Sequence, residues 1–260
     1  MKRMPDILAQ PHLATLEAFA SSNVLLAFDY DGTLAPTVPT PSRARMRAET
    51  RRLLGEIARR YPCVVISGRT LDDVSKRLNG IPIWYVFGNF GNEPAAANSR
   101  SSDTVRDWMP RLAEHLPTPR GMVVEEKTHS VTIHYRHVRD KRRALAAIED
   151  AIRELPDVRI VGGLHAVNLL PGGGSDKGVA LQQARRQFAC DHAMYVGDDE
   201  TDEDAFASAG PEHLLSIRVR ASRLSRARYC LRRQADVDTL LRILVSLRAH
   251  ESGSTVPSSR

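Results

Sequence analysis

Two carboxylates stand two residues apart where an apolar run ends: Val24-Leu25-Leu26-Ala27-Phe28 leads directly into Asp29-Tyr30-Asp31-Gly32-Thr33. In an extended strand both side chains share one face, and Gly32 then lets the chain turn away so that the two take different jobs. Such a pair can hold a divalent cation and still leave one oxygen free to attack phosphorus, which is phosphoryl chemistry. The same letters also describe a strand followed by an ordinary Asp-Gly turn. Alone, the motif leaves both readings open.

Three further segments carry reactive side chains where strands end or helices begin. Ser67-Gly68-Arg69 follows Cys63 to Ile66 and combines a hydroxyl, flexible backbone and a helix start, which together suit an anion. Asp176-Lys177-Gly178 opens a helix, where Lys177 can act as a point charge on phosphate. From Asp198 to Asp204, after Tyr195-Val196-Gly197, six of seven residues are acidic. The preference of a helix N-terminus for negative charge accounts for Glu203 and Asp204. Asp198 and Asp199 instead sit at the strand end, where open α/β sheets build their sites. Mg²⁺ takes oxygen ligands in octahedral geometry and keeps several waters, and Asp29, the backbone carbonyl of Asp31 and Asp198 make a suitable set. Soft sulfur ligands and clustered histidines are absent, so no other metal is implied.

The elements that must position these residues alternate. Strands are expected at Val24 to Phe28, Cys63 to Ile66, Ile83 to Phe87, Ala193 to Val196 and Leu215 to Val219. Helical patterns separate them, including Ser42 to Arg60 and Arg69 to Leu78, and Leu8 to Ala20 reads as an N-terminal helix. This order implies an α/β fold: a Rossmann-like parallel sheet covered by helices on both faces. The middle of the chain differs. A small polar stretch, Asn98 to Ser102, reads as a linker. A helix (Asp103 to His115), paired strands (Met122 to Glu125, Ser130 to Arg136), a charged helix (Arg139 to Leu155) and two more strands (Val158 to Val161, Ala166 to Leu170) follow. Strands in pairs beside two helices suggest an α+β module, closed by the hinge-like Pro171 to Ser175. The expected division is a discontinuous core, 1–99 and 173–250, with a cap at 100–172 and a disordered tail at 251–260.

Composition excludes several classes. The chain has 260 residues, 42% hydrophobic and 26% charged, an ordinary globular profile. No apolar run is long enough to span a bilayer, and Pro5, Asp6, Gln10, Pro11 and His12 interrupt any signal-peptide core. Three isolated cysteines fit a reducing cytoplasm rather than a disulfide framework or zinc site. The net charge of +6 owes much to Arg218, Arg220, Arg223, Arg226, Arg228, Arg232 and Arg233. Without aromatic stacking residues or a recognition-helix pattern, this cluster reads as a solvated surface, and no nucleic-acid partner is expected.

In order, these four segments resemble the haloacid dehalogenase superfamily of phosphotransferases, and the resemblance covers essentially the whole chain. It implies that Asp29 is the nucleophile and forms an aspartyl-phosphate, while Asp31 is general acid and then general base. Ser67, Gly68 and Lys177 would bind phosphate, and Mg²⁺ would be the cofactor. Asp199 and Asp202 look like residues that orient metal-bound waters. The cap's position and paired strands resemble the sugar-phosphatase subgroup. Within it, four strings are similar to trehalose-6-phosphate phosphatases: Asp29 to Pro36, Gly88-Asn89-Phe90-Gly91-Asn92-Glu93, Glu125-Glu126-Lys127 with His134-Tyr135-Arg136, and Gly197 to Phe206. That likeness implies that Glu125 and Lys127 reach the glucose hydroxyls, with Arg69, Asn89, Arg136 and Asn168 as further substrate contacts. With Asp31 filling the acid–base role, His129, His134 and His165 are expected to pack or face solvent.

Two positions depart from that pattern. Phe90 stands where the family usually has His, and Asn168 where it usually has Glu. Asn can still donate to and accept from a sugar hydroxyl, and Phe can stack on a sugar face. The expected activity is therefore Mg²⁺-dependent hydrolysis of trehalose 6-phosphate, with another sugar phosphate, such as a glucosyl- or mannosyl-glycerate phosphate, as the alternative substrate. A non-catalytic nucleic-acid or partner-binding protein is the alternative from a different class.

Overall fold

The computed structural model describes residues 4–94, 99–163 and 165–253. A short 3₁₀ turn leads into α1 (Leu13–Ala20), and the chain then runs β1 (Val24–Phe28), α2 (Ala48–Ala58), β2 (Cys63–Ile66), α3 (Leu71–Leu78) and β3 (Tyr85–Phe87). It next leaves this layer through α4 (Ser99–His115), β4 (Val123–Lys127), β5 (Ser130–His134), α5 (Lys141–Arg153), β6 (Val158–Gly163) and β7 (Ala166–Pro171). It returns with α6 (Lys177–Gln187), β8 (His192–Gly197), α7 (Glu203–Phe206), β9 (Leu214–Val219), β10 (Tyr229–Leu231) and α8 (Asp236–Gly253).

The six returning and departing strands form one parallel sheet in the order β10-β9-β8-β1-β2-β3. Alternate residues of β1 go to opposite faces, and both faces are buried. Val24, Leu26 and Phe28 join residues of α1, α2, α3 and α8, whereas Leu25 and Ala27 join residues of α6 and α7. Coverage on both sides explains why the strand is apolar throughout. The sheet order reverses direction between β1 and β8, and such a switch point leaves a crevice at the strands' carboxyl ends.

The four remaining strands form an antiparallel sheet, β4-β5-β7-β6. Val131, Ile133, Val167 and Leu169 pack with Trp108 and Leu112 of α4 and Ile148 and Ile152 of α5. With period 2, the intervening residues face the other way, towards the parallel sheet. The predicted α/β core with an α+β cap is thus observed.

Several local expectations differ. Ser99 to Ser102, expected as linker, already belong to α4, because nothing in that polar stretch breaks a helix; residue 98 lies outside the described residues. α8 continues to Gly253, so the expected tail at 251–260 begins in helix, and 254–260 lie outside the described residues. The Ser42 to Arg60 pattern splits into a 3₁₀ turn and α2. β10 was not expected: its three residues are too few to show a period.

Candidate active site

Asp29 is the first residue past β1, and its amide donates to the Val196 carbonyl of β8 at 2.9 Å. Gly32 then turns the chain at φ +85°, and a Cβ at that position would collide with the Asp198 carboxylate. Glycine is required here for both conformation and space. Asp198 follows β8, so the two carboxylates meet at the switch point.

Lys177 reaches the same place from the other face of the sheet. Asp176 caps α6 by accepting from the Val179 amide at 2.9 Å, which fixes Lys177 in the first turn. Its ammonium donates to Asp29 Oδ1 at 2.8 Å and to Asp202 Oδ1 at 2.7 Å. Asp202 is fully buried and saturated. Its Oδ1 also accepts from the Tyr195 hydroxyl at 2.7 Å, and its Oδ2 accepts from the amides of Asp198 and Asp199 at 2.7 and 3.0 Å. Burial pulls Lys177 towards neutrality, but Asp202 and Asp29 outweigh it and hold the ammonium well above its ordinary value. Burial likewise pushes Asp202 up, and Lys177 more than reverses it, so this pair is charged.

The remaining carboxylates are crowded against one another in a buried place, which disfavours their ionisation. Burial, joined by Asp202, Asp198 and Asp199, raises Asp29 well above the usual range despite Lys177. Burial, then Asp199 and Asp202, pushes Asp198 up to about 7. Asp29, Asp198 and Asp202 bring oxygens within 4.8 Å of one another, and Asp198 Oδ1 is buried with no hydrogen-bond partner. With Asp202 saturated, Asp29 and Asp198 remain as donors. An orphaned oxygen among hard anionic ligands fits a small dication.

Arg69 forks onto Asp31, Nε to Oδ2 at 2.6 Å and Nη2 to Oδ1 at 2.7 Å, and also binds Asp73 at 2.5 Å. Ser67 is buried at the end of β2, where its hydroxyl accepts from the Arg69 amide at 3.2 Å.

Above this floor is a cavity of about 590 Å³, lined from below by Asp29, Asp31, Gly68, Arg69, Lys177, Asp198 and Asp199. Its roof is the open face of the antiparallel sheet. Glu125 pairs with Thr132 and Thr132 with Asn168, so one row across three strands faces the cavity. Thr132 Oγ1 donates to Asn168 Oδ1 at 3.0 Å. Strand period places Lys127 on the same face as Glu125. Its ammonium donates to the Gly68 carbonyl at 3.0 Å and lies 5.5 Å from the Phe90 ring centre. Burial lowers the Lys127 pKa.

Arg136 and Phe90 also line the cavity, whereas Ser67, Asn89 and Asp202 do not. Asn89 was expected as a substrate contact. It is fully buried and accepts from the Ser130 hydroxyl at 2.5 Å, tying the cap's β4–β5 turn to the core. His134 departs from expectation in the other direction: it lines the cavity and lies 2.8 Å from Glu125 Oε2. Its place two residues along β5 from Thr132 was the available signal. Tyr195 was also missed, although a hydroxyl inside the buried, apolar β8 needs a partner. Of the arginine cluster, Arg218 bonds Glu203, Arg220 bonds Asp198, Arg232 bonds Asp6 and Arg233 bonds Asp236, so much of it is spent on local pairing.

The family model for trehalose-phosphatase matches residues 27–234. The chain belongs to the trehalose-phosphatase family. Relatives include the trehalose-phosphate phosphatase of Mycobacterium avium, 35% identical over 238 residues, covering 85% of this chain and 60% of the relative. The Mycobacterium tuberculosis enzyme is 33% identical over 241 residues, with 85% and 59% covered. The chain thus spans about 60% of the length of these family members. The fold matches the C-terminal domain of Candida albicans trehalose-6-phosphate phosphatase, with a TM-score of 0.75 and 23% identity over 94% of this chain and 99% of that one.

Proposed function

We propose that this trehalose-phosphatase family member hydrolyses trehalose 6-phosphate to trehalose and inorganic phosphate. The observation that carries this reading is Lys177, held between Asp29 and Asp202 beneath a cavity roofed by Glu125, Lys127 and Asn168. The floor supplies phosphoryl chemistry and the roof supplies both acceptors and donors for a hydroxyl-rich leaving group. Residues 100–172 act as the cap on a core of 1–99 and 173–250.

Asp29 Oδ1 faces Lys177, which leaves Oδ2 to attack phosphorus. As that O–P bond forms, the bond from phosphorus to the sugar oxygen breaks, and Asp31 gives its proton to the departing oxygen. Asp31 must first be released from Arg69 and take up a proton from solvent, and the incoming phosphate is the anion that draws the guanidinium away. Water then attacks the aspartyl-phosphate, Asp31 takes its proton, and the Asp29–P bond breaks to release phosphate. Lys177, Ser67 and the Gly68 amide hold the phosphoryl oxygens. Asp29, the Asp31 carbonyl and Asp198 would hold Mg²⁺, with Asp199 orienting its waters and the saturated Asp202, expected to share that task, acting through the groups it holds. When bound, Mg²⁺ offsets the charge that otherwise repels a carboxylate from a phosphate. Asp202 anchors Lys177 and the amides of the 198–199 turn.

Arg136, Asn168 and Phe90 complete the sugar side of the cavity. Three buried free cysteines suit a reducing compartment, and the cytoplasm is the proposed location. Among the described residues no helix is long and apolar enough to cross a membrane.

Phosphate release across a panel of sugar phosphates, with and without Mg²⁺, tests this reading. Trehalose 6-phosphate should rank first and require the metal. A glucosyl- or mannosyl-glycerate phosphate ranking well above it would replace the substrate assignment.

A further inference from the structure

Arg220 stands one residue past β9, and it adopts φ +66°, a left-handed conformation that favours glycine. Its amide is held by the Leu231 carbonyl at 2.8 Å. β9 pairs with β8 so that Arg218 lies opposite Gly197, which brings the following residues alongside the Asp198 turn. From there the Arg220 guanidinium donates to Asp198 Oδ2 at 2.5 Å. The two partners differ sharply in freedom: the arginine side chain is 53% exposed and that of Asp198 only 6%.

Asp198 is also the carboxylate whose second oxygen is buried and unpartnered. The other nearby cations cannot serve it. Lys177 is buried and engaged by Asp29 and Asp202, and Arg218 donates to the Asp199 carbonyl and to Glu203. Arg220 is therefore a monovalent charge on a flexible stem, sharing a carboxylate with the cation site. It can swing into water, whereas Asp198 cannot.

We propose that Arg220 competes with the divalent cation for Asp198, so that metal entry displaces the guanidinium and metal affinity is set lower than the carboxylates alone would give. This inference rests on the proposed assignment of Asp198 as a metal ligand. Arg220 is a positioning residue in this scheme: it compensates Asp198 while no dication is bound and touches no reacting atom.

Binding of Mn²⁺ to chelator-stripped protein, followed by the electron paramagnetic resonance signal of free Mn²⁺, tests it without any turnover measurement. Arg220→Gln and Arg220→Gly should each lower the Kd about three- to tenfold, the range expected for losing one charge-assisted hydrogen bond to a half-exposed group. Arg220→Lys, which keeps the charge, should stay nearer the wild type. Arg220→Gly also relieves the left-handed backbone, so it decides the matter if the Gln form folds poorly. Equal or weaker binding by the Gln and Gly forms would overturn the competition while leaving the metal site standing. If the wild type itself binds no Mn²⁺, the metal assignment fails, and the competition with it.

Discussion

Lys177 Nζ lies 2.8 Å from Asp29 Oδ1, with both side chains almost wholly buried. The pair works only because Asp202 holds the ammonium from the other side at 2.7 Å. Asp29→Asn should abolish turnover while leaving the thermal midpoint within a few degrees. Asp202→Ala should instead destabilise the protein by about 3 kcal/mol or more, because it strips a partner from a buried charge. Calorimetry on both variants separates the two roles. A fully active Asp29→Asn enzyme contradicts the nucleophile assignment.

Glu125 and Lys127 face the cavity from one strand, and the Lys127 ammonium reaches the floor at the Gly68 carbonyl. Glu125→Gln and Lys127→Met should reduce kcat/KM for the sugar phosphate about 10- to 100-fold, as expected for one or two lost charged hydrogen bonds. A small aryl phosphate should be hydrolysed with little change. Equal losses on both substrates would move these residues from sugar recognition to the chemical step.

Among the described residues, two ties between the cap and the core stand apart from the cavity lining. Asn89 receives the Ser130 hydroxyl, and Arg159 of β6 bridges Asp176 at 2.9 Å and Asp204 at 2.5 Å. The first contact is fully buried and the second about a third exposed. Asn89→Ala should therefore cost about 1–3 kcal/mol of stability, and Arg159→Met under about 1 kcal/mol. Hydrogen exchange at the β4–β5 turn should quicken in the Asn89 variant. Unchanged exchange there would mean that other contacts hold the cap.

Metal removal should expose an unusual pH dependence. Burial and neighbouring carboxylates raise Asp198 from 3.8 to about 7 and Asp199 from 3.8 to about 6, and Asp29 moves in the same direction. A carboxyl with a raised native pKa binds its proton more tightly when folded, so stability is lost as pH rises through that window. Asp202 and Asp73 are lowered by their cationic partners despite burial, and their contribution disappears only below the ordinary range. The thermal midpoint of the stripped protein should thus fall between about pH 5 and 7, where the raised groups dominate. Saturating Mg²⁺ should flatten the slope. A midpoint that rises over this interval would contradict the reading of the carboxylate cluster.

The sequence determined which residues sit where core strands end. Asp29, Ser67 and Asp198 follow apolar runs, and Asp176 caps the helix carrying Lys177; those signals are local and depend on period and punctuation alone. The alternation of strand and helix also implied a parallel sheet, while Glu125 and Lys127 share a face because a strand repeats every two residues. Tertiary structure decided which of these groups meet. Asn89 and Arg69 looked alike as loop residues near the site. Packing buries one under Ser130 and forks the other onto Asp31, because the cap turn and the β1 turn approach them from segments distant in sequence. His134, Tyr195 and Arg220 acquire roles only through cross-strand register or the closure of β9 against β8. The two carboxylates of the opening pair are told apart on the same ground. Asp29 lies against Lys177 and Asp31 against Arg69, partners that only the folded sheet brings within reach.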